Sequence, residues 1–345
     1  MNNTLEIVNL GTRPHVGQTI YGLLSIAKTL KFDVVVNNNP IFQNFDSLVV
    51  VNFPGIGLVG FDVADGYNFD FSEYDLAIEP LVAVFKRSYS QAQNSMLKNG
   101  NKIMPYGFNY QIDPPIKYRR AWVKNKIWIK NIIKALIGYE KFTHKPEEFV
   151  ANNKSEKKDN GPRIVYFTRL WDPSEEWAGK PLSKELIDER NCINKLRMDT
   201  VIALRERFGS LFAGGIERRR YSEKLCPELI VDKRYTAKSH YLKLMHSCDV
   251  CIATTGLHES IGWKTGEYVA AGKAVVSEKL HYEVPNWKEG THYFTFATVE
   301  ECVQKVEMLL NNAELLINMQ KANRLYYITN LEPVSLIKNC LMKLC

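Results

Sequence analysis

Short apolar runs rich in Val and Ile alternate with helical patterns along most of the 345-residue chain. This alternation is typical of βαβ units, in which neighbouring strands run parallel. In the first half, the pattern predicts a helix over residues 18–30, between the first two strands. The strands predicted in this half cover residues 5–10, 32–36, 48–52, 76–79 and 82–86.

A polar stretch separates this series from a second one. Residues 151–162, with the sequence ANNKSEKKDNGP, lack apolar periodicity, which predicts a solvated linker between two domains. The first domain then covers residues 1–150 and the second residues 163–325. The strands predicted in the second domain cover residues 164–168, 211–213, 250–253 and 274–277.

We therefore predict an α/β protein with two doubly wound, Rossmann-like domains that face a cleft. Short, continuous apolar strands fit sheets that helices cover on both faces. Such sheets bind ligands at the carboxyl ends of their strands, so the cleft between the domains is the expected site.

The composition, with 45% hydrophobic and 24% charged residues, is that of an ordinary soluble chain. Forty-five Lys and Arg against 38 Asp and Glu give a formal net charge of +7. This mild excess favours acidic partners such as phosphorylated ligands or a membrane surface, and it is smaller than that of a dedicated nucleic-acid binder. We expect no nucleic-acid partner.

The sequence also predicts a cytoplasmic protein. Its first residues, Met-Asn-Asn-Thr, lack the basic start and apolar core of a signal peptide. The longest apolar stretch, residues 48–61, is interrupted by Asn52, Pro54, Gly55 and Gly57, and it is shorter than the roughly 20 residues that span a bilayer. Without a secretory context, the seven cysteines are expected to be reduced thiols.

The segment with the most specific chemistry is residues 254–278, TTGLHESIGWKTGEYVAAGKAVVSE. It follows a predicted strand, passes through a glycine-bearing loop, enters a helix near Trp263 or Lys264 and leaves it at Gly272. Backbone N–H groups and the helix dipole at such a place bind anions, so a phosphate would fit. Lys264 in the first turn has the wrong charge for the dipole, and a bound anion would remove that conflict.

Glu259 and Glu267 belong to the sequence E-S-I-G-W-K-T-G-E, which G-K-A-V-V follows five residues later. In these residues the chain resembles the retaining, nucleotide-sugar-dependent glycosyltransferases of the GT-B fold, including those of bacterial surface glycans, whose C-terminal domain carries an E-x7-E pattern. The resemblance implies that Glu267 hydrogen-bonds the ribose hydroxyls of the donor and that Glu259 lies near the transferred sugar. The alternative is a structural helix whose glutamates face water.

We also assign donor binding to glycine-bearing loops of the second domain. Paired glycines after a strand allow a nucleotide to approach the backbone closely, although a plain turn fits Gly214 and Gly215 equally well. The residues assigned to donor binding in addition to Glu267 are Thr255, Gly256, Ser260, Gly262 and Gly215.

Arg169 ends the first predicted strand of the second domain, in the sequence RIVYFTRLWDP. The family that the chain resembles has an Arg at this strand end, in a Gly-Arg-Leu context, that contacts the donor diphosphate. A guanidinium suits a phosphate because its planar fork is always charged and binds two oxygens. We therefore assign Arg169 and Lys264 to the leaving diphosphate. The alternative is a surface arginine paired with Asp172.

In the first domain, candidate acceptor contacts lie in loops that follow predicted strands. The sequence GTRPHVGQTIYGLL places Arg13, His15 and Gly17 between the first strand and the first helix. A histidine near this loop can be the general base of inverting GT-B enzymes, whereas retaining enzymes need none. His15 is thus a candidate catalytic or acceptor-side residue, or a loop histidine without a role. Lys86 and Arg87 lie at the end of another predicted strand, where they could contact the acceptor or a phosphate. The alternative is that they form ion pairs with nearby acids.

A basic segment precedes the predicted linker. Residues 117–134 contain seven basic residues and no acid, together with two tryptophans. Lys126, Lys130 and Lys134 recur every four residues, on one face of a predicted helix. Such a helix suits an anionic surface, which predicts peripheral association with the inner face of the membrane. The alternative is a packed helix whose lysines face water.

The end of the chain predicts a crossover. A helical run ends before Glu332 and Pro333, and a final apolar helix follows. In GT-B enzymes the last helix returns to the N-terminal domain. By this resemblance, residues 326–345 are expected to pack there.

The resemblance implies transfer of a sugar from a nucleotide-sugar donor to a glycan or lipid-linked acceptor, with retention. The chain has no Asp-x-Asp sequence, with which the other major glycosyltransferase fold holds its metal, so we expect neither a metal nor a separate cofactor. Two alternatives stay open. One is an epimerase or phosphorylase that shares the two-domain fold, and the other is a binding protein for nucleotide sugars or glycans that lacks turnover.

Overall fold

The computed structural model describes residues 4–115, 118, 144–150, 161–177, 180–232, 235 and 237–344. Two predictions fall largely outside these residues, namely the basic segment 117–134 and most of the predicted linker. Within the described ranges, no helix is long and apolar enough to span a bilayer.

The first domain is built on a six-stranded sheet. Its strands are β1 (Thr4–Asn9), β2 (Asp33–Val36), β3 (Leu48–Phe53), β4 (Gly57–Asp62), β5 (Ala83–Lys86) and β6 (Ile103–Pro105). Their order across the sheet is β2-β1-β3-β4-β5-β6. β3 runs antiparallel to β1 and β4, and the other neighbouring pairs are parallel.

The orientation of β3 departs from the expected parallel pattern, and the turn after it gives the reason. The apolar run 48–61 is a hairpin, in which only Pro54, Gly55 and Ile56 separate β3 from β4. Gly55 has a φ of 79°, which L side chains rarely adopt. So short a turn can join only antiparallel strands, because a parallel pair needs a crossover of a dozen or more residues.

The second domain is built on a five-stranded sheet in which all neighbouring pairs are parallel. Its strands are β7 (Ile164–Thr168), β10 (Phe212–Ile216), β11 (Val250–Ala253), β12 (Ala274–Glu278) and β13 (Tyr293–Phe296). Their order is β10-β7-β11-β12-β13. A small hairpin after β7 consists of β8 (Glu176–Trp177) and β9 (Lys180–Pro181).

Helices cover both faces of the two sheets. They are α1 (Gly17–Thr29), α2 (Phe71–Ile78), α3 (Gln91–Asn94), α4 (Lys184–Phe208), α5 (Arg220–Leu225), α6 (Lys238–Ser247), α7 (Trp263–Ala270), α8 (Val299–Asn311), α9 (Ala313–Tyr326) and α10 (Pro333–Met342). The first sheet packs against α1 on one face and α2 on the other. The second packs against α6 and α7 on one face and α4, α8 and α9 on the other. The predicted fold class is confirmed.

The strand predicted over residues 76–79 is wrong, because most of these residues end the helix α2. An apolar run as short as Leu76-Ala77-Ile78 does not distinguish a strand from a buried helix. The decisive signal lies upstream. The carboxylate of Asp70 accepts a hydrogen bond from the backbone N–H of Glu73 at 2.9 Å and so caps the helix.

The chain returns to the first domain at its end. A five-residue π-helical segment, Tyr327–Leu331, follows α9, and α10 then begins at Pro333. Leu336 and Ile337 of α10 are buried in the core that α1 and the first sheet form. The predicted return of the last helix to the N-terminal domain is therefore confirmed.

Gly22 lies at the contact between α1 and α10. A Cβ at this position would overlap the carbonyl oxygen of Pro333 and crowd the side chain of Ile337. Gly→Ala in an open helix stabilises by about 1 kcal/mol. Here we expect Gly22→Ala to lower the free energy of unfolding by about 1–3 kcal/mol, because α10 must shift.

Urea unfolding measures this difference. Thr29→Ala, at the exposed end of α1, is the control and is expected to change the free energy of unfolding by less than about 0.5 kcal/mol. A stabilised Gly22→Ala variant would contradict the close packing of the two helices.

Candidate functional site

A cavity of about 1510 Å³ lies between the two domains. The second domain contributes residues that directly follow strands, with Arg169 after β7, Glu217 after β10 and Thr254 after β11. The facing wall includes His15, in the turn after β1, and Arg87, directly after β5. Ligand sites of open α/β sheets lie at the carboxyl ends of the strands, so this cavity is the candidate site.

Close packing holds α7 at this cavity. The segment after β6 inserts Phe108, Tyr110 and Ile112 into a core of the second domain. Gly266 on α7 faces the backbone of Asn109, and a Cβ there would come within 2.6 Å of the Asn109 carbonyl oxygen. The first domain thus contacts α7 directly and fixes the place where its N-terminus meets the cavity.

Most of the predicted site residues line the cavity, and some do not. Those that line it are Arg13, His15, Arg87, Arg169, Gly256, Ser260, Gly262, Lys264 and Glu267. Those that the structure places elsewhere are Gly17, Lys86, Gly215, Thr255 and Glu259.

Glu259 is turned away from the cavity. Its side chain is 61% exposed, and Oε1 lies 3.2 Å from Nδ1 of His281. His258 and Glu259 both have left-handed backbone conformations, with φ of 59° and 56°. Glu259 is not among the residues that line the cavity, and the position near a transferred sugar that the resemblance implied stays a prediction.

Lys86 is part of the first-domain core rather than an acceptor contact. Its side chain is fully buried, and Nζ donates to Asp62 at 2.8 Å. The ammonium also lies over the rings of Tyr67, Phe69 and Tyr74, at 4.7 to 5.8 Å from their centroids. A buried charge needs such partners, and they hold Lys86 inside the domain.

The glycines at positions 17 and 215 pack against backbone instead of ligand. A Cβ at Gly17 would overlap the carbonyl oxygen of Ile112. Gly215, with a φ of 152°, faces the carbonyl oxygen of Leu229, which a Cβ would approach to 2.5 Å. Both glycines are needed for close packing of neighbouring segments.

The loop after β11 is held by polar contacts from Glu278 and Arg197. The backbone N–H and the hydroxyl of Thr255 both donate to Oε2 of Glu278, at 2.6 and 3.1 Å. The guanidinium of Arg197 donates to the carbonyl oxygen of Thr255 at 2.7 Å. Thr255 therefore anchors the glycine-bearing loop, while Gly256 and Ser260 of the same loop line the cavity.

The cationic side of the cavity is formed by Arg169, Lys264 and the N-terminus of α7. The Arg169 guanidinium stacks over the ring of Trp171, 3.7 Å from its centroid. In the part of the chain that the structure describes, no carboxylate pairs with Arg169. Lys264 donates to the carbonyl oxygen of Phe167, and burial lowers the pKa of its ammonium from 10.5 to about 8. These groups favour an anionic ligand.

Glu267 brings a carboxylate to the same cavity. Its side chain is buried, and Oε1 accepts a hydrogen bond from Nζ of Lys238 at the start of α6. Its Oε2 is also buried and has no hydrogen-bond partner among the residues described. A buried acceptor without a partner is costly, and the hydroxyl of a ligand would supply the missing donor.

On the first-domain wall, arginines are paired with acids. Arg13 lies 2.5 Å from Asp46, and Arg87 lies 2.6 Å from Asp65. Arg87 also donates to the carbonyl oxygen of Ile261, in the loop before α7. This wall is therefore polar, with its charges largely balanced.

His15 lies on this wall in a short turn, Pro14–Val16. Its ring meets that of Trp263, the first residue of α7, edge to face with 3.8 Å between the centroids. Burial, aided by nearby Arg87, lowers the pKa of His15 from 6.5 to about 4. The imidazole is therefore neutral near pH 7, where it can accept a hydrogen bond or a proton from a ligand hydroxyl.

We expect His15 to destabilise the folded protein as the pH falls from about 6.5 toward 4. The unfolded chain protonates this imidazole near its ordinary pKa, whereas the folded protein keeps it neutral to lower pH. The unfolded state then binds more protons in this pH window. The contribution of His15 to the free energy of unfolding therefore rises with pH until about 6.5 and is constant above that value.

Urea unfolding at several pH values between 4 and 7 tests this expectation. His15→Gln should show a smaller loss of unfolding free energy on acidification than the wild type. Equal losses in the two proteins would mean that His15 titrates normally in the folded state.

Asp65, Arg197 and Lys238 also line the cavity, although no motif in the sequence pointed to them. Asp65 follows β4, so recognition of the hairpin would have pointed to it. Arg197 and Lys238 lie within or at the start of helices and belong to no motif. Only the packing of α4 and α6 against the strand ends brings these two cations to the site.

The described residues contain no group of three or more His, Cys, Asp or Glu side chains placed to hold a metal ion. Cys248 and Cys251, which have C-x-x-C spacing, are buried in a hydrophobic core. Burial raises the pKa of the Cys248 thiol to about 12, which keeps it protonated. Metal-independence itself stays a prediction.

The fold and the cavity define a class, that of α/β proteins in which two Rossmann-like domains face a cleft. No protein-family model and no curated protein matches the chain. Solved structures with which it shares 10–16% identity are similar to it. The Anabaena protein Alr3699/HepE in complex with UDP-glucose is 13% identical, with a TM-score of 0.43 over 95% of this chain and 76% of that chain.

Two further solved structures are similar at the same level. The UDP-GlcNAc 2-epimerase from Neisseria meningitidis bound to UDP-GlcNAc is 12% identical, with a TM-score of 0.44 over 94% of this chain and 80% of that chain. A glycosyltransferase from Rickettsia africae is 16% identical, with a TM-score of 0.42 over 82% and 69%. These TM-scores are below 0.5, so the function is argued from the residues of this chain.

Proposed function

We propose that the protein transfers a sugar from a nucleotide-sugar donor to a glycan or lipid-linked acceptor. The observation that carries this proposal is that Oε2 of Glu267 has no hydrogen-bond partner among the described residues and belongs to the same cavity as Arg169 and the N-terminus of α7. A carboxylate accepts hydrogen bonds from vicinal hydroxyls such as those of a ribose. An arginine and a helix N-terminus bind a diphosphate. A nucleoside diphosphate supplies both groups in one molecule.

The same cations would act in the reaction. When the bond between the sugar and the diphosphate breaks, negative charge develops on the leaving phosphate. Arg169 and Lys264 are placed in the cavity before the reaction, so they stabilise this charge without rearrangement. We propose that these groups replace a metal ion at the donor diphosphate.

We further propose that transfer proceeds with retention and that the acceptor binds on the first-domain wall. In retaining transfer the leaving phosphate can take the proton of the acceptor hydroxyl, so no protein base is required. The neutral His15 and the paired charges of Arg13 and Arg87 suit a hydroxyl-rich ligand. Glu259, which points outward, is given no role in this proposal.

Calorimetric titration with UDP, GDP, ADP, CDP and dTDP tests the proposal. We expect one of them to bind, with equal affinity in EDTA and in magnesium or manganese, and its sugar conjugate to serve as donor. Binding by none of the five would contradict the nucleotide-sugar site. Affinity lost in EDTA and restored by manganese would contradict metal-independence.

Product analysis then separates the alternatives. Transfer to an acceptor, or slow hydrolysis of the sugar conjugate without one, is expected of a glycosyltransferase. Release of an epimerised sugar in the absence of an acceptor would favour the epimerase alternative. Binding without any turnover would favour a nucleotide-sugar binding protein.

Peripheral membrane association remains a prediction from the sequence, since the basic segment 117–134 lies largely outside the residues described. Each of its seven cations contributes about 1 kcal/mol if it reaches an anionic surface. We expect the protein to float with anionic liposomes at low salt and to be released at high salt. Absence of flotation at low salt would favour a packed helix.

A further inference from the structure

The long helix α4 carries a buried polar face. Arg190, Asn194 and Arg197 are 6%, 2% and 6% exposed. They are spaced four and three residues apart, which puts them on one side of the helix. Buried polar groups are costly unless they are hydrogen-bonded, so the partners of these three side chains show what the face does.

All three side chains hold the loop that follows β7. Asn194 makes two hydrogen bonds to the backbone of Trp171, accepting from its N–H at 2.8 Å and donating to its carbonyl oxygen at 2.7 Å. Arg197 donates to the carbonyl oxygen of Arg169 at 2.6 Å. Arg190 donates to the carbonyl oxygen of Asp172.

This loop presents Arg169 to the cavity. The central carbon of the Arg169 guanidinium lies over the Trp171 ring, 3.7 Å from its centroid, and no acid of the described residues forms an ion pair with Arg169. Among the described residues the buried indole N–H of Trp171 has no hydrogen-bond partner, whereas Asn194 hydrogen-bonds both the backbone N–H and the carbonyl oxygen of Trp171. The orientation of Arg169 therefore depends on Trp171, and that of Trp171 on Asn194.

We propose that Trp171 and Asn194 are positioning residues that hold Arg169 in the direction required for a diphosphate. This inference rests on the proposed nucleotide-sugar site. An arginine side chain has many rotamers, and fixing one before the ligand arrives removes that entropy loss from binding. Stacking leaves the edges of the guanidinium, where its N–H donors lie, available to phosphate oxygens.

Calorimetry on four proteins tests the inference: the wild type, Trp171→Ala, Arg169→Ala and the double variant. The probes are the tightest-binding of UDP, GDP, ADP, CDP and dTDP and its parent nucleoside. Trp171→Ala should weaken diphosphate binding about tenfold and leave nucleoside binding unchanged. In the Arg169→Ala background the same substitution should have no further effect, because Trp171 acts through Arg169.

Two more variants separate positioning from structural support. Trp171→Phe keeps an aromatic face and should restore most of the diphosphate affinity. Asn194→Ala should resemble Trp171→Ala in its ratio of diphosphate to nucleoside affinity, in addition to a lowered melting temperature. If Asn194→Ala does not fold, the Trp171 and Arg169 cycle decides the question alone.

Additive losses of diphosphate affinity in the cycle would overturn the inference, because Trp171 would then act independently of Arg169. Equal losses of affinity for the diphosphate and the nucleoside would also overturn it, because Trp171 would then contact the ligand directly or merely support the fold. Failure of the wild type to bind any nucleoside diphosphate has a different meaning. That result would remove the proposed function and the inference with it.

Discussion

Arg169→Ala is expected to lower turnover with a nucleotide-sugar donor by more than about tenfold, which corresponds to roughly 1.4 kcal/mol of barrier. Arg169 lines the cavity at the end of β7 and is paired with no acid of the described residues. Its charge is therefore available to the leaving diphosphate. Because that negative charge grows in the transition state, the loss should affect kcat more than donor affinity.

Steady-state kinetics with the donor identified by calorimetry measure this effect. Arg169→Lys keeps a positive charge but loses the planar fork and should be intermediate. Arg207→Ala removes an exposed arginine on α4 that pairs with Glu307, and it should keep the wild-type rate. A wild-type rate in Arg169→Ala would exclude Arg169 from the reaction.

Lys264, the second cation of the cavity, is expected to affect both the turnover and its pH dependence. Lys264→Ala should also lower turnover by more than about tenfold. The pKa of its ammonium is lowered to about 8 by burial, so its positive charge is lost as the pH rises through that value. We expect kcat/KM to fall above pH 8 in the wild type and not in Lys264→Arg, whose guanidinium stays charged. The same fall in both proteins would assign it to another group.

Glu267→Ala is the second substitution for which we expect a large effect, a loss of nucleoside diphosphate affinity of about tenfold or more. Its buried Oε2 lacks a donor in the described structure, and a ribose hydroxyl would supply one. A hydrogen bond to a charged group contributes about 1.5–3 kcal/mol, which is at least tenfold in affinity.

A modified ligand makes this prediction specific to the ribose. The wild type should bind a 2′,3′-dideoxynucleoside diphosphate more weakly than the parent nucleotide, and Glu267→Ala should bind the two equally. Glu206→Ala, an exposed position on α4, is the control and should bind like the wild type. If Glu267→Ala folds and still discriminates against the dideoxy ligand, Glu267 does not contact the ribose.

Removal of Glu267 also leaves the ammonium of Lys238 without this carboxylate partner. Glu267→Gln, which keeps the shape and one acceptor oxygen, distinguishes a lost ligand contact from a disturbed helix. We expect it to unfold at nearly the wild-type temperature and to bind the nucleotide more weakly. A variant that is unstable and binds normally would favour a structural role for the pair.

Local patterning determined much of the second domain. The strands predicted over residues 164–168 and 250–253 have the same bounds as β7 and β11. A short apolar run bounded by polar and turn residues is typical of a buried strand. The helix predicted from Trp263 to near Gly272 is α7, Trp263–Ala270. Strand ends and helix starts are marked in the sequence, which located Arg169 and Lys264, while the donor roles of Arg169 and Glu267 came from the resemblance to a known family.

Local apolar patterns did not predict the elements whose structure depends on a turn or a helix cap. The run 48–61 contains two strands, and their antiparallel pairing follows from a three-residue turn that apolar content does not reveal. Residues 76–78 are helical because Asp70 caps the turn before them. In both cases a specific polar or glycine residue decided between two structures that bury the same apolar side chains.

By itself, then, the sequence determined the α/β class and the strand ends at which charged residues gather, and the resemblance to a known family predicted the return of the last helix. Only the tertiary structure decided which of those residues share a cavity. Lys86 and Arg87 lie side by side at a strand end and were both predicted to reach the site, yet Lys86 is enclosed by Asp62 and three aromatic rings. Glu259 is 61% exposed beside His281, and the polar face of α4 is buried only because α4 packs against the loop after β7. Side-chain direction depends on neighbours distant in the chain, which no local spacing encodes.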